Sequence, residues 1–260
     1  MRAVTGMATA GYALLLYAFI YLPVVVLVLF SFHDGRLPIP PFRPATFRWY
    51  EAVLGDDDVM DALLNSFGVA VLSSAAACML GFLAAWGLAR VALPGAGAMR
   101  ALLMAPLSVS YLIIGLGLLI SFNLTGIDRS LLTTGIGHAV INTPLCFAIC
   151  AASMGAQHTN LERAARDLGA SELKVLALVT APVLWPAILA AFALSLTFSW
   201  DEFVIAFLLT RFDVTLPVEI WSLLRSGLSP KTNAAGSLVF LVSVVVVLLA
   251  ELLLFRRRRS

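Results

Sequence analysis

The chain has 260 residues, of which 61% are apolar and only 12% charged, with a formal net charge of +2 and a mean hydropathy of +0.97. A charged share about half that of ordinary soluble domains excludes a water-soluble globular protein. At about 20 residues per crossing, the length accommodates six membrane helices joined by short loops.

Taken in chain order, the apolar run after Arg2 predicts a first span over residues 12–32. It is longer than the apolar core of a secretory signal and lacks a small-residue cleavage site, so it is expected to stay. Residues 33–61 read as a polar outer segment with turn-forming Pro38, Pro40, Pro41 and Pro44, closing on Asp56, Asp57, Asp58 and Asp61. A second span is expected over 63–88, where Ser73, Ser74, Ala75, Ala76 and Ala77 let a neighbouring helix come close. Pro94, Gly95 and Gly97 mark a tight inner loop over 90–100. The third span, 102–122, contains Pro106, Gly115 and Gly117 and is expected to kink or unwind locally.

The fourth span is expected over 131–154, the fifth over 184–209 and the sixth over 236–255. Between the last two, Val218, Ile220, Trp221, Leu223 and Leu224 predict an interfacial helix anchored by Trp221. The basic run Arg256 to Arg259 directly follows a span and reads as a membrane anchor rather than a nucleic-acid site. Of the 17 Lys and Arg residues, ten fall on one side: Arg2, Arg90, Arg100, Arg163, Arg166, Lys174 and Arg256 to Arg259. The bias places that side, with both termini, in the cytoplasm.

Three features bear on chemistry. Cys78, Cys146 and Cys150 all lie inside apolar runs and read as packing residues, not as a metal or redox site. The chain lacks a G-x-x-x-x-G-K-[ST] phosphate loop, so it is not expected to bind or hydrolyse ATP, and it carries no hydrolase motif or metal-spaced Cys/His cluster. Asp201 and Glu202 fall inside the fifth expected span, where acids are costly and usually face a bundle interior or a water-filled cavity. Neighbours on a helix point about 100° apart, so one of the two is expected to face a pathway, with Trp200 beside it offering a cation-attracting ring. The competing reading makes both acids structural, paired with Arg211 or Arg225. His138 and Asn142, one helical turn apart on the fourth span, either line the pathway or hydrogen-bond between helices.

The polar stretch over about 155–183 interrupts this apolar pattern. Leu161, Ala164, Ala165, Leu168 and Leu173 follow helical spacing, while Glu162, Arg163, Arg166 and Asp167 take the other positions. Gly169 permits the turn that ends this helix, and Ala170, Ser171 and Glu172 open a second one running to Pro182. The stretch resembles the signature loop of ABC import permeases, Glu-Ala-Ala, three residues, Gly, nine residues, Ile-x-Leu-Pro. Ala164, Ala165, Gly169 and Pro182 stand at the matching positions, Val179 and Ala181 replace Ile and Leu, and Arg163 replaces the glutamate, with Glu162 one place earlier.

The resemblance extends to Arg48-Trp49-Tyr50, Leu64-Asn65-Ser66, Ser199-Trp200-Asp201-Glu202-Phe203, Leu216-Pro217 and Gly227-x-x-Pro230-x-x-Asn233-Ala234, which look like polyamine (spermidine/putrescine) import permeases of bacteria, the second permease of the pair. It implies an all-α, type I importer-like fold, one permease domain over residues 1–260, multi-pass in the bacterial inner membrane. It implies no cofactor in this chain, ATP and Mg being bound by the partner. The implied partners are a second permease, two copies of a cytoplasmic ATPase and a periplasmic or tethered solute-binding protein, with lipid around them and no nucleic acid. Glu162, Arg163, Ala164, Ala165, Gly169 and Pro182 would then couple to the ATPase, and Asp201 would be the favoured pathway acid. The same architecture carrying an opine, another amino-acid-like amine or an anion stays open, as does a gradient-driven transporter.

Overall fold

The computed structural model describes residues 2–91 and 93–258, which form twelve α-helices with a 3₁₀ turn and a π turn among them. Arg259 of the basic run, and the side chains of Arg2 and Arg256 to Arg258, lie outside the described residues. Among the described residues no β-strand forms; a single bridge pairs His33 with Ala45.

The first helix, α1 (Arg2–Ser31), begins ten residues earlier than its apolar run. The short α2 (Arg48–Leu54) follows the proline-rich segment, and α3 (Asp57–Arg90) starts inside the acidic run. Acids in a first turn complement the helix dipole, and the Asp56 carboxylate accepts the amides of Asp58 (3.1 Å) and Val59 (3.4 Å), which explains the early start.

The third expected span is not one rod. α4 (Ala96–Met104) runs into a 3₁₀ turn (Ala105–Ser108), Val109 is extended, and α5 (Tyr111–Thr125) leaves at a bend of 106°. Pro106, with no amide hydrogen, sits in that turn, and the expected kink becomes a full break. α6 (Leu131–Ser153) matches its expected span closely and opens on a capping box between Ser130 and Thr133.

α7 (Ala156–Asp167) is the polar amphipathic helix, and α8 (Glu172–Val175) passes through the π turn (Leu176–Thr180) into α9 (Ala181–Trp200). Pro182 does not end the helix. It stands in the first turn of α9, where a missing amide is tolerated. α9 stops at Trp200, and α10 (Val204–Leu209) is a separate helix, correcting the expectation of one continuous span over 184–209. α11 (Leu216–Ser226) is the expected amphipathic return helix, and α12 (Pro230–Arg258) closes the chain.

Four helical stretches among the described residues are long and apolar enough to cross a membrane, and five if the bent α4–α5 pair counts as one span. The sixth expected span falls on α12, 29 residues long.

The chain forms two compact units. In the larger, residues 61–218 and 243–258, the core lies where α3, α6 and α9 meet, filled by Ala77, Cys78, Phe82, Cys146, Phe147, Cys150, Leu184 and Ala191. A second cluster joins α10 to α5 and α6 through Ile141, Ile205 and Leu209. The helices touch closely at glycines. A Cβ at Gly81 would lie 2.5 Å from the Phe147 amide nitrogen and 2.7 Å from Cys146 Cβ, so α3 and α6 cross backbone to backbone there.

Gly81→Ala is therefore expected to push these helices apart and destabilise the chain by about 1–3 kcal/mol. Gly68→Ala, with open space around the new Cβ, is the matched control. Thermal unfolding in detergent, read by size-exclusion, separates the two.

In the smaller unit, residues 2–60 and 219–242, α1 packs against α12 where Leu27 meets Gly236. Buried His33 takes the Arg43 amide on Nδ1 (3.1 Å), and its carbonyl accepts Trp49 Nε1 (2.9 Å). Lys231 donates to Asp56, and that hydrogen bond holds the Asp56 carboxyl below its ordinary value of 3.8. A depressed acid stabilises the fold above its unfolded pKa and loses that contribution as pH falls through its folded one. Lys231→Met should accordingly lower the melting temperature at neutral pH, and the gap from wild type should close as pH falls below 3.8.

Candidate functional site

Two sites emerge, at opposite ends of α9. The first is the loop built by α7, α8 and the π turn. Gly169 has φ +85°, a left-handed conformation that only glycine adopts freely. Its amide donates to the Arg166 carbonyl (2.8 Å) and that of Ala170 to Ala165 (3.0 Å), closing the end of α7.

The faces of α7 are the reverse of those of an ordinary surface helix. Leu161 (50% exposed), Leu168 (90%) and, beyond the turn, Leu173 (78%) point away from the chain, and Ala164 is exposed with them. The buried member is Glu162. Its carboxylate accepts Arg90 Nε (2.5 Å) and Nη2 (3.2 Å) and Thr180 Oγ1 (2.8 Å), with Arg166 Nη2 at 3.9 Å. Arg163, at the motif's glutamate position, is exposed, as is Pro182, and Ala165 is half-buried. Arg166 also forks onto Glu172 across the glycine turn at 2.7 and 2.9 Å.

The second site lies at the far end of α9. Glu202 folds back as the cap of α10, its carboxylate accepting the amides of Val204 (3.0 Å), Ile205 (2.8 Å) and Ala206 (3.2 Å). His138 Nε2 stands 3.4 Å from the same carboxylate, while His138 Nδ1 meets Ser199 Oγ at 2.7 Å and Ser199 meets Ser73 at 2.9 Å. Hydrogen bonds thus link α3, α6 and α9, and His138 Nε2, which lacks a hydrogen-bond partner among the described residues, faces the Glu202 cap of α10. Asn142 and Trp200 are buried close by in sequence, and Asn142 Nδ2 and Trp200 Nε1 lack a hydrogen-bond partner among the described residues.

Asp201 differs from its neighbour in every respect. It is exposed on the surface of the chain and makes no hydrogen bond or ion pair among the described residues. Neither acid pairs with Arg211 or Arg225 there. The structure therefore separates the adjacent pair into an inward acid that holds a helix end and an outward acid with a free carboxylate. Arg90, Thr180, Ser199 and Ser73 were not read as site residues from sequence; Thr180 fills an unspecified motif position, Arg90 counted only toward the loop charge, and the two serines only as a small residue and part of a motif.

A bundle of apolar helices carrying a polar loop whose leucines face outward is a multi-pass membrane protein with an uncovered loop surface. Residues 77–259 match the family described as binding-protein-dependent transport system inner membrane component. The chain is 32% identical over 255 residues to the putrescine transport system permease protein PotI of Escherichia coli, covering 95% of this chain and 90% of that one. It is 28% identical over 245 residues to the spermidine/putrescine transport system permease protein PotC of the same species, covering 94% and 92%. Among solved structures, a chain of a bacterial ABC transporter involved in the import of the acidic polysaccharide alginate superposes with a TM-score of 0.72 at 18% identity, covering 98% and 96%. The chain belongs to the binding-protein-dependent transport system inner membrane components and is a multi-pass permease subunit of an ABC importer.

Proposed function

We propose that this permease moves polyamines, putrescine or spermidine, into the cytoplasm as one half of a heterodimer with a second permease. Two copies of a cytoplasmic ATPase, binding ATP and Mg, drive it, and a periplasmic or tethered binding protein delivers the solute. Both termini lie in the cytoplasm, on the side of α7.

The observation that carries the coupling reading is the outward apolar face of α7 and α8. Burying Leu161, Leu168 and Leu173 requires a partner groove, and a short helix lined with alanine seats closely in one. Closure of the ATPase pair on ATP shifts this loop and opens the helices outward, and hydrolysis resets them. The solute reading is supported by the names of the two relatives and by the exposed Asp201 carboxylate, which attracts ammonium groups and repels anions. Such a site binds weakly, because the solute must leave it.

Labelled putrescine and spermidine uptake into proteoliposomes holding all four components tests this, with ATP or a non-hydrolysable analogue inside. ATP-dependent accumulation is expected. Absent uptake while another solute stimulates hydrolysis would remove the polyamine assignment, and uptake without hydrolysis would remove the mechanism.

A further inference from the structure

The backbone route from α7 to α9 is a poor transmitter of force. It passes through the turn at Gly169, exposed and with nothing near its Cβ position, before the continuous helical stretch Glu172–Trp200 begins. The Arg166–Glu172 fork across that turn is exposed, and exposed pairs hold geometry weakly. Motion of a docked α7 would dissipate there unless a second connection bypassed the turn.

Glu162 supplies that connection. Its side chain is 1% exposed and that of Arg90 is 11% exposed, so water does not compete for the pair. Arg90 belongs to the last turn of α3, and Nε and Nη2 together form a two-point fork that fixes orientation as well as distance. Thr180 is the last residue of the π turn and leads directly into α9. A π turn shifts the helix register relative to regular α geometry and so changes which side chain meets α7. Here the side chain presented is a hydroxyl, donating to Glu162 at 2.8 Å. Three elements, one of them 72 residues away in sequence, thus meet on one carboxylate.

We propose that Arg90, Glu162 and Thr180 form an internal clamp through which movement of α7 is passed to α3 and α9. Glu162 is a positioning residue in this arrangement and not a contact to the ATPase; the outward positions Arg163, Leu161 and Leu168 face the partner. The clamp rests on the reading of α7 as the docked loop of an importer. It joins that loop to two helices of the distant polar chain, since α3 carries Ser73 and α9 carries Ser199 and ends beside Asp201.

The test uses proteoliposomes of the complete complex, with putrescine-loaded binding protein, measuring labelled putrescine moved per ATP hydrolysed alongside the amount of ATPase co-purified with the permeases. In Glu162→Gln the ratio is expected to fall about fivefold, a coupling loss of the usual size for linked sites, with the ATPase still bound. Thr180→Val should lower the ratio less, and the exchanged pair Arg90→Glu with Glu162→Arg should recover part of it. A wild-type ratio in Glu162→Gln complexes overturns the clamp. Loss of the ATPase from those complexes overturns it too, because Glu162 would then be a docking contact. Should Glu162→Gln fail to insert, Arg90→Lys, which keeps the charge and loses the fork, decides by the same ratio. A wild-type complex in which the binding protein elicits no hydrolysis with putrescine or any other solute sinks the docked-loop reading and the clamp with it, a failure visible before any variant is made.

Discussion

Gly169→Pro is expected to abolish solute uptake, by about 100-fold or more, while the chain still inserts and the permease pair still assembles. Proline fixes φ near −65°, whereas Gly169 sits at +85°, and proline has no amide to donate to the Arg166 carbonyl. The turn that ends α7 cannot form, and Leu161 and Leu168 lose their placement relative to Leu173. No core residue lies near this position, because a Cβ there would meet nothing within 4 Å. The damage is therefore confined to the loop. Gly169→Ala is the graded comparison: a left-handed alanine costs about 1–2 kcal/mol, which should weaken coupling without removing it. Uptake and ATPase co-purification, measured together, check the pair. Normal uptake by Gly169→Pro would remove α7 from the coupling role.

How much of this was legible in the sequence depends on the range of the interaction concerned. The limits of α6 and the turn at Gly169 follow from local signals, a Ser130 cap and a glycine, and both stand where periodicity puts them. The break between α9 and α10 has no such signal. Residues 184–209 contain no glycine, and the interruption arises because Glu202 satisfies three amides of α10 while lying against His138 on α6.

The amphipathic pattern of α7 likewise reveals two faces without revealing which one the chain keeps. Ordinary packing buries the leucines, yet here the buried position is Glu162, while Arg163 and Asp167 stay exposed, because Arg90 and Thr180 arrive from elsewhere to neutralise and solvate that one carboxylate. The Arg163 that stands in place of the motif glutamate leaves the internal network intact, since the buried carboxylate belongs to the residue before it.

The acids at the far end of α9 give the second large effect. Asp201→Asn is expected to lower putrescine uptake by about 10-fold or more, because a hydrogen bond to a charged group contributes roughly 1.5–3 kcal/mol and the amide keeps the shape while losing the charge. Assembly and thermal stability should stay at wild-type values, as the side chain is exposed and unpaired among the described residues. Glu202→Gln should behave the other way. An amide in that place presents a donor where the structure needs an acceptor for the amides of α10, so the α10 start frays and the buried His138–Ser199–Ser73 chain loses its end. The expected result is a lower melting temperature and less permease in the membrane, with uptake per assembled complex much less affected. Measuring melting, assembly and uptake on both variants separates a pathway acid from a structural one. Equal uptake by Asp201→Asn and wild type would show that Asp201 does not meet the solute and remove it as the pathway acid.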